Sequence, residues 1–115
     1  NEMAKKVDWY YFRSGWTSCT RASKFLEASN ITIATTVPAS RKLQREDAQA
    51  LLAKASKMIV AKGKKVIEFK GGSAATDEAI DAMLGSTGNL RAPTSVVGKT
   101  LLIGFNEDAF NGVFN

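Results

Sequence analysis

The residues with the strongest claim to chemistry lie between Trp16 and Arg21, where an aromatic run ends in the turn Arg13-Ser14-Gly15 and a helix carrying Cys19 begins. Unpaired N–H groups in a helix's first turn and the positive end of its dipole stabilise a thiolate or an oxyanion, so a reactive thiol is often placed there. In a dithiol site the solvent-facing nucleophile would stand three positions before Cys19. That position holds Trp16, whose indole is no nucleophile. Cys19 is the only cysteine, so no internal disulfide can form, and this agrees with a reducing, cytoplasmic setting. The chain has no histidine, which excludes Ser-His-Asp and Cys-His catalysis and any imidazole-ligated metal, and one thiol makes a zinc or iron–sulfur site a poor expectation.

The elements that must position this turn can be predicted in order. Val7 to Phe12 is nearly continuous in its apolarity, as a strand covered on both faces would be. Cys19, Ala22, Phe25 and Leu26 recur at helical spacing and predict a first helix from Thr17 to Ser29. Ile31 to Val37 alternates and is β-branched. Strand, helix and strand of these lengths imply a parallel pair joined by a right-handed crossover. After a loop at Pro38 to Arg41, Leu43 to Ser56 predicts a second helix, acidic at its start and basic at its end. Met58 to Phe69 has two β-prone pieces around Lys62-Gly63-Lys64, giving an extended segment, a small hairpin or a surface loop. Thr76 introduces a third helix that Gly85 ends. The Gly71-Gly72 and Gly85 to Gly88 turns lack the spacing of a phosphate loop. Thr94 to Val97 and Thr100 to Phe105 flank Gly98-Lys99 and predict an antiparallel hairpin with a type II′ turn, and Asn106 caps a last helix.

Length and composition bound the rest. The 115 residues, 44% hydrophobic and 23% charged, fit one domain over 1–115 with a real core and neither disorder nor a membrane span. Asn1 to Val7 lacks the apolar core of a signal peptide. The net charge of +5 favours anionic ligands or acidic partners. Lys54, Lys57, Lys62, Lys64, Lys65 and Lys70 cluster without interleaved aromatics or a DNA-binding motif, which argues for a solvated basic edge and against nucleic acid.

Three stretches carry a family resemblance: Thr17-Ser18-Cys19-Thr20-Arg21-Ala22, then Gly88-Asn89-Leu90-Arg91-Ala92-Pro93-Thr94, then Val97-Gly98-Lys99-Thr100-Leu101-Leu102-Ile103-Gly104-Phe105. From Val7 to about Phe110 the chain resembles the ArsC (arsenate reductase) and Spx family of thioredoxin-fold proteins. The resemblance implies an α/β thioredoxin-like fold with a mixed four-stranded sheet flanked by helices and a helical insertion. It also implies thiol or disulfide oxidoreductase activity with no bound cofactor, glutathione or thioredoxin serving as reductant. Trp16 falls where family members with two cysteines carry the nucleophile, and Cys19 matches the resolving thiol. Cys19 also lies on the apolar stripe of its helix, where a small core residue is the alternative.

Pro93 matches the proline opposite the site, cis in such proteins, which would leave backbone groups of Ala92 free for an extended substrate. Arg91, with Thr17 and Ser18 at the helix start, is the implied anion- or substrate-binding set. In arsenate reductases the arginine directly precedes the proline; here Ala92 intervenes, and no arginine stands at Ala61 or Lys62, where a further one would fall. These departures count against arsenate reduction. Three origins of Trp16 remain open: a substitution in a redox-inactive binding module like Spx, a deliberate replacement of the nucleophile, or a UGA selenocysteine codon one base from UGG. The partner is accordingly a thiol or disulfide substrate, or a protein that contacts Trp16.

Overall fold

The computed structural model describes residues 5–115, so the first four residues of the Asn1 to Val7 stretch, expected to hold no leader, lie outside it. The aromatic run forms two short strands, β1 (Lys6–Val7) and β2 (Trp9–Phe12). They break at Asp8, whose N–H donates to Val96 O and whose carboxylate accepts the Gly98 N–H at 2.8 Å. Tyr10 and Tyr11 are both fully buried yet belong to different apolar cores. Successive side chains of a strand point to opposite faces, so β2 is apolar throughout because both faces are covered.

Helix α1 (Thr17–Ala28) follows. Beyond its end Asn30 takes φ 57°, the Asn30 N–H donates to Glu27 O, and the Ile31 N–H donates to Leu26 O. These are the two bonds of a Schellman stop, with buried Ile31 and Leu26 in one core as its apolar contact. The chain then returns as β3 (Thr32–Ile33), parallel to β1, and β4 (Thr36–Pro38), parallel to β2. The expected strand–helix–strand unit is present, with each long strand divided in two.

Helix α2 (Arg45–Ala53) is shorter than the Leu43 to Ser56 span predicted for it. The Gln44 N–H is taken by Asp47 Oδ2 at 2.8 Å, the Leu43 N–H reaches Tyr11 Oη at 3.4 Å, and the Ser56 N–H turns to Lys99 O. A local capping box from Asp47 thus starts the helix at Arg45, and Tyr11 and Lys99 take backbone N–H groups just beyond its two ends.

The Met58 to Phe69 stretch folds as a two-stranded hairpin, β5 (Lys57–Lys62) and β6 (Lys65–Lys70), closed by Gly63-Lys64 with Gly63 at φ 62°. A single 3-10 turn at Gly72–Ala74 leads to α3 (Asp77–Ala82), whose Ala79 N–H donates to Thr76 Oγ1 at 3.1 Å. Strands β7 (Thr94–Val97) and β8 (Thr100–Ile103) form the expected antiparallel hairpin. Of its two turn residues Gly98 alone has positive φ, as a type II′ turn requires. Helix α4 (Glu107–Phe114) closes the described chain, with the Ala109 N–H on Asn106 Oδ1 at 2.9 Å.

The sheet order is β4-β2-β7-β8-β5-β6, which corrects the four-stranded expectation: the main sheet is mixed and six-stranded. β5 pairs in parallel with β8 and buries Met58 and Val60, so the stretch between β4 and β7 extends the sheet and is not purely helical. α1 and α4 cover one face through Ala22, Leu26, Phe110 and Phe114, while α2 and α3 cover the other through Ala48, Leu52, Ala79 and Ile80. Among the described residues, no helix is long and apolar enough to cross a membrane.

Candidate functional site at the start of helix α1

Gly15, at φ 84°, turns the chain from β2 into α1, and Trp16 becomes the residue that caps the helix. Trp16 O accepts the Thr20 N–H at 2.9 Å, but no side chain caps the first turn. Residue 16 therefore projects from a helix start with N–H groups to offer, as the sequence placed it. Its indole is 50% exposed and lies under the Arg13 guanidinium, 4.4 Å from the ring centroid.

Cys19, one turn further on, is 2% exposed and belongs to the buried face of α1. Its Sγ accepts the Arg13 backbone N–H at 3.3 Å. Burial pushes the thiol up from its ordinary value, against the opposing pulls of that N–H and of the Arg13 charge. At neutral pH Cys19 is a protonated, shielded thiol.

A cleft of about 420 Å3 opens beside the helix start, lined among others by Tyr11, Arg13, Trp16, Ser18, Asn89 and Arg91. Arg91 is fixed from behind: its N–H donates to Met83 O at 2.9 Å, its carbonyl accepts Thr94 Oγ1–H at 2.7 Å, and Nη2 donates to Ala61 O at 3.1 Å. Its other terminal nitrogen, Nη1, is buried and has no partner among the described residues. Loss of solvent lowers the guanidinium's pKa, and an anion entering the cleft would offset that desolvation. The Ala92–Pro93 bond is cis; Ala92 borders the cleft, whereas Pro93 is buried behind it, its carbonyl accepting the Gly104 N–H at 2.8 Å.

Of the six residues singled out from the sequence, Trp16, Ser18 and Arg91 share this cleft. Thr17 is exposed at the helix start and does not line it. Cys19 opens instead onto a shallower hollow of about 280 Å3 with Ser14, Thr20, Ser23 and Lys24. Arg13 borders both spaces and touches both position 16 and the thiol, a role the sequence argument did not assign. The one available signal was a cation three residues before Trp16 within a glycine turn. Tyr11 was assigned only to a strand, yet its hydroxyl ties the cleft floor to the following loop by donating to Arg41 O at 3.0 Å. Among the described residues, no three His, Cys, Asp or Glu side chains converge in a way that could hold a metal ion.

Compared with known proteins, the chain matches no protein-family model and no curated sequence.

Proposed function

We propose that this chain is a thioredoxin-fold protein of the ArsC and Spx type and a thiol/disulfide oxidoreductase whose attacking atom is absent at Trp16. The observation that carries the proposal is the geometry of positions 16 and 19. Residue 16 stands half-exposed at an uncapped helix start on the rim of a cleft, one turn before a buried thiol that accepts an N–H from the same turn. An exposed position one helical turn before a buried thiol supports a nucleophile at 16 and a resolving thiol at 19, although the two open onto different hollows. The order β4-β2-β7-β8, a parallel strand–helix–strand unit joined to an antiparallel hairpin, supports the fold assignment, with β5 and β6 as an added hairpin.

With sulfur or selenium at position 16, that atom attacks a substrate disulfide and expels one sulfur as a thiolate. Cys19 gives its proton to the departing second sulfur and closes a bond to position 16, and glutathione or thioredoxin restores the pair by thiol exchange. Arg13 and Arg91 supply positive charge to the cleft lining, and Ser18 a hydroxyl. Cytoplasmic action, a single domain and substrate contacts by Ser18 and Arg91 belong to the same proposal, while Thr17, outside the cleft, and Pro93, buried behind it, are given no contact in it.

The test is disulfide reduction by the protein and by Trp16→Cys, with codon 16 of the source gene read for UGA. The Trp16 protein gives no steady turnover and Trp16→Cys gains it, dependent on Cys19. Steady turnover with Trp16 in place, or a folded but inert Trp16→Cys, would overturn the proposal. A second reading is favoured by the exposed indole held under Arg13: a non-catalytic module, comparable to Spx, that presents Trp16 to a protein partner.

A further inference from the structure

At the edge of the sheet opposite β4 lies β6, bonded on one side to β5 and on the other to nothing among the described residues. The Gly71 N–H donates inward to Ser56 O at 3.0 Å, and Lys62 and Lys65 close a two-residue turn. Alternation along the ladder then sends the N–H and C=O groups of Lys65, Ile67 and Phe69 toward β5 and those of Val66, Glu68 and Lys70 outward. The free edge thus offers three residues of open backbone pairing. Val66 and Ile67 are 45% and 44% exposed, an apolar pair on the two faces of this strand. On the α4 side, Val66 and Ile59 border a groove of about 420 Å3 that continues to Ala109 and Val113.

Charge selects what can pair there. Residues 57–70 hold five lysines against one glutamate, most of the chain's net charge of +5. A second copy of the chain brings the same five lysines against one glutamate to its own edge, so two copies repel; registers centred on Ile67 or Glu68 set Lys64 opposite Lys70 or the two Glu68 side chains together, and only the one centred on Val66 sets Lys64 opposite Glu68. Single-stranded nucleic acid would meet the charge without a stacking platform, since Phe69 packs inward on the core under α2 and α3.

We propose that β6 is a docking edge for an extended acidic segment of a partner protein, added as a seventh strand. The segment sets its apolar residues on the α4 face, against Val66 and with one large side chain in the groove beside Val113, and its carboxylates on the opposite face, beside Ile67 and within reach of Lys65. This edge and the cleft at α1 have no lining residue in common.

The probe is a fluorescein-labelled peptide that alternates Glu and Val around a central Phe, titrated by anisotropy and by amide chemical-shift perturbation. The peptide binds with shifts centred on Val66, Glu68 and Lys70 and slowed hydrogen exchange at those three amides. Val66→Pro removes an outward N–H and leaves the bonds to β5 in place, so it weakens binding about tenfold without unfolding the hairpin. The Lys64→Glu, Lys65→Glu double variant weakens it as much. Absence of binding, equal affinity for a scrambled peptide carrying prolines, tighter binding of oligo-dT than of the peptide, or self-association through β6 in sedimentation would each overturn the proposal.

Discussion

Gly104 ties the candidate site to the stability of the whole sheet, and Gly104→Ala measures that tie. The residue follows β8 at φ 81°, and a Cβ there would stand 2.5 Å from the Ala61 carbonyl oxygen. An L side chain in the left-handed region costs about 1–2 kcal/mol. The ordinary carbon–oxygen approach is about 3.3 Å, so the carbonyl must retreat by roughly 0.8 Å. Overpacking of that kind adds about 1–3 kcal/mol. The displaced oxygen is also the acceptor of Arg91 Nη2 at 3.1 Å, so the guanidinium loses its anchor as the strand yields. The total is about 3 kcal/mol, and with a urea m-value of about 2 kcal/mol/M the unfolding midpoint falls by about 1.5 M. Gly63→Ala supplies the comparison, since Gly63 has φ 62° and nothing within 4 Å of its Cβ position. Only the backbone cost applies there, about 1 kcal/mol or a midpoint shift of about 0.5 M. Equal midpoint shifts for the two variants would refute the assignment of the larger effect to Ala61.

Three further outcomes follow from the geometry. Iodoacetamide labels Cys19 in the folded protein more slowly than free cysteine at pH 8, because burial holds the thiol protonated; because burial also raises Tyr10, the unfolded chain ionises first at both groups, so stability is full below about pH 8.5 and falls as pH rises through the folded values, readable as a midpoint in urea against pH. Arg91→Met leaves stability within about 1 kcal/mol, since it removes an unpaired, desolvated nitrogen together with the bond to Ala61 O, whereas Arg91→Ala loses the packed stem as well and costs about 2 kcal/mol or more in the same unfolding assay. Asn106→Ala removes the cap of α4 at a cost of about 1 kcal/mol, seen as a fall of about 4 °C in Tm by calorimetry.

Local signals in the sequence were the ones that carried through. Thr76 and Asn106 accept N–H bonds at the helix starts predicted for them, and the Gly98-Lys99 turn has the single positive φ its type demands. The hairpin of β5 and β6 was harder to read because lysine replaces the polar–apolar alternation at both ends of each strand, while its place beside β8 depends on a pairing more than forty residues away in sequence. No local pattern encodes such a parallel register. At the site, the apolar stripe of α1 announced the burial of Cys19, but nothing announced that its thiol and Trp16 open onto different hollows. That separation, and the double contact of Arg13, follow from the turn at Gly15. Arg91 was visible as a candidate anion donor; its anchor was not, because Ala61 O is a backbone atom on a distant strand.

The position of β8 bears on how the chain is made. Of the six strands in the sheet it is the last in sequence yet occupies the middle, with β7 on one side and β5 on the other. Roughly forty residues separate β5 from β8, about 2–8 s of translation at 5–20 residues/s. Throughout that interval the nascent β5–β6 hairpin has both outer edges open and Met58 and Val60 still without the neighbouring strand that helps bury them. Until residues 100–103 pair with β5, those open edges carry five lysines, and like charge on two such unfinished hairpins works against their pairing edge to edge.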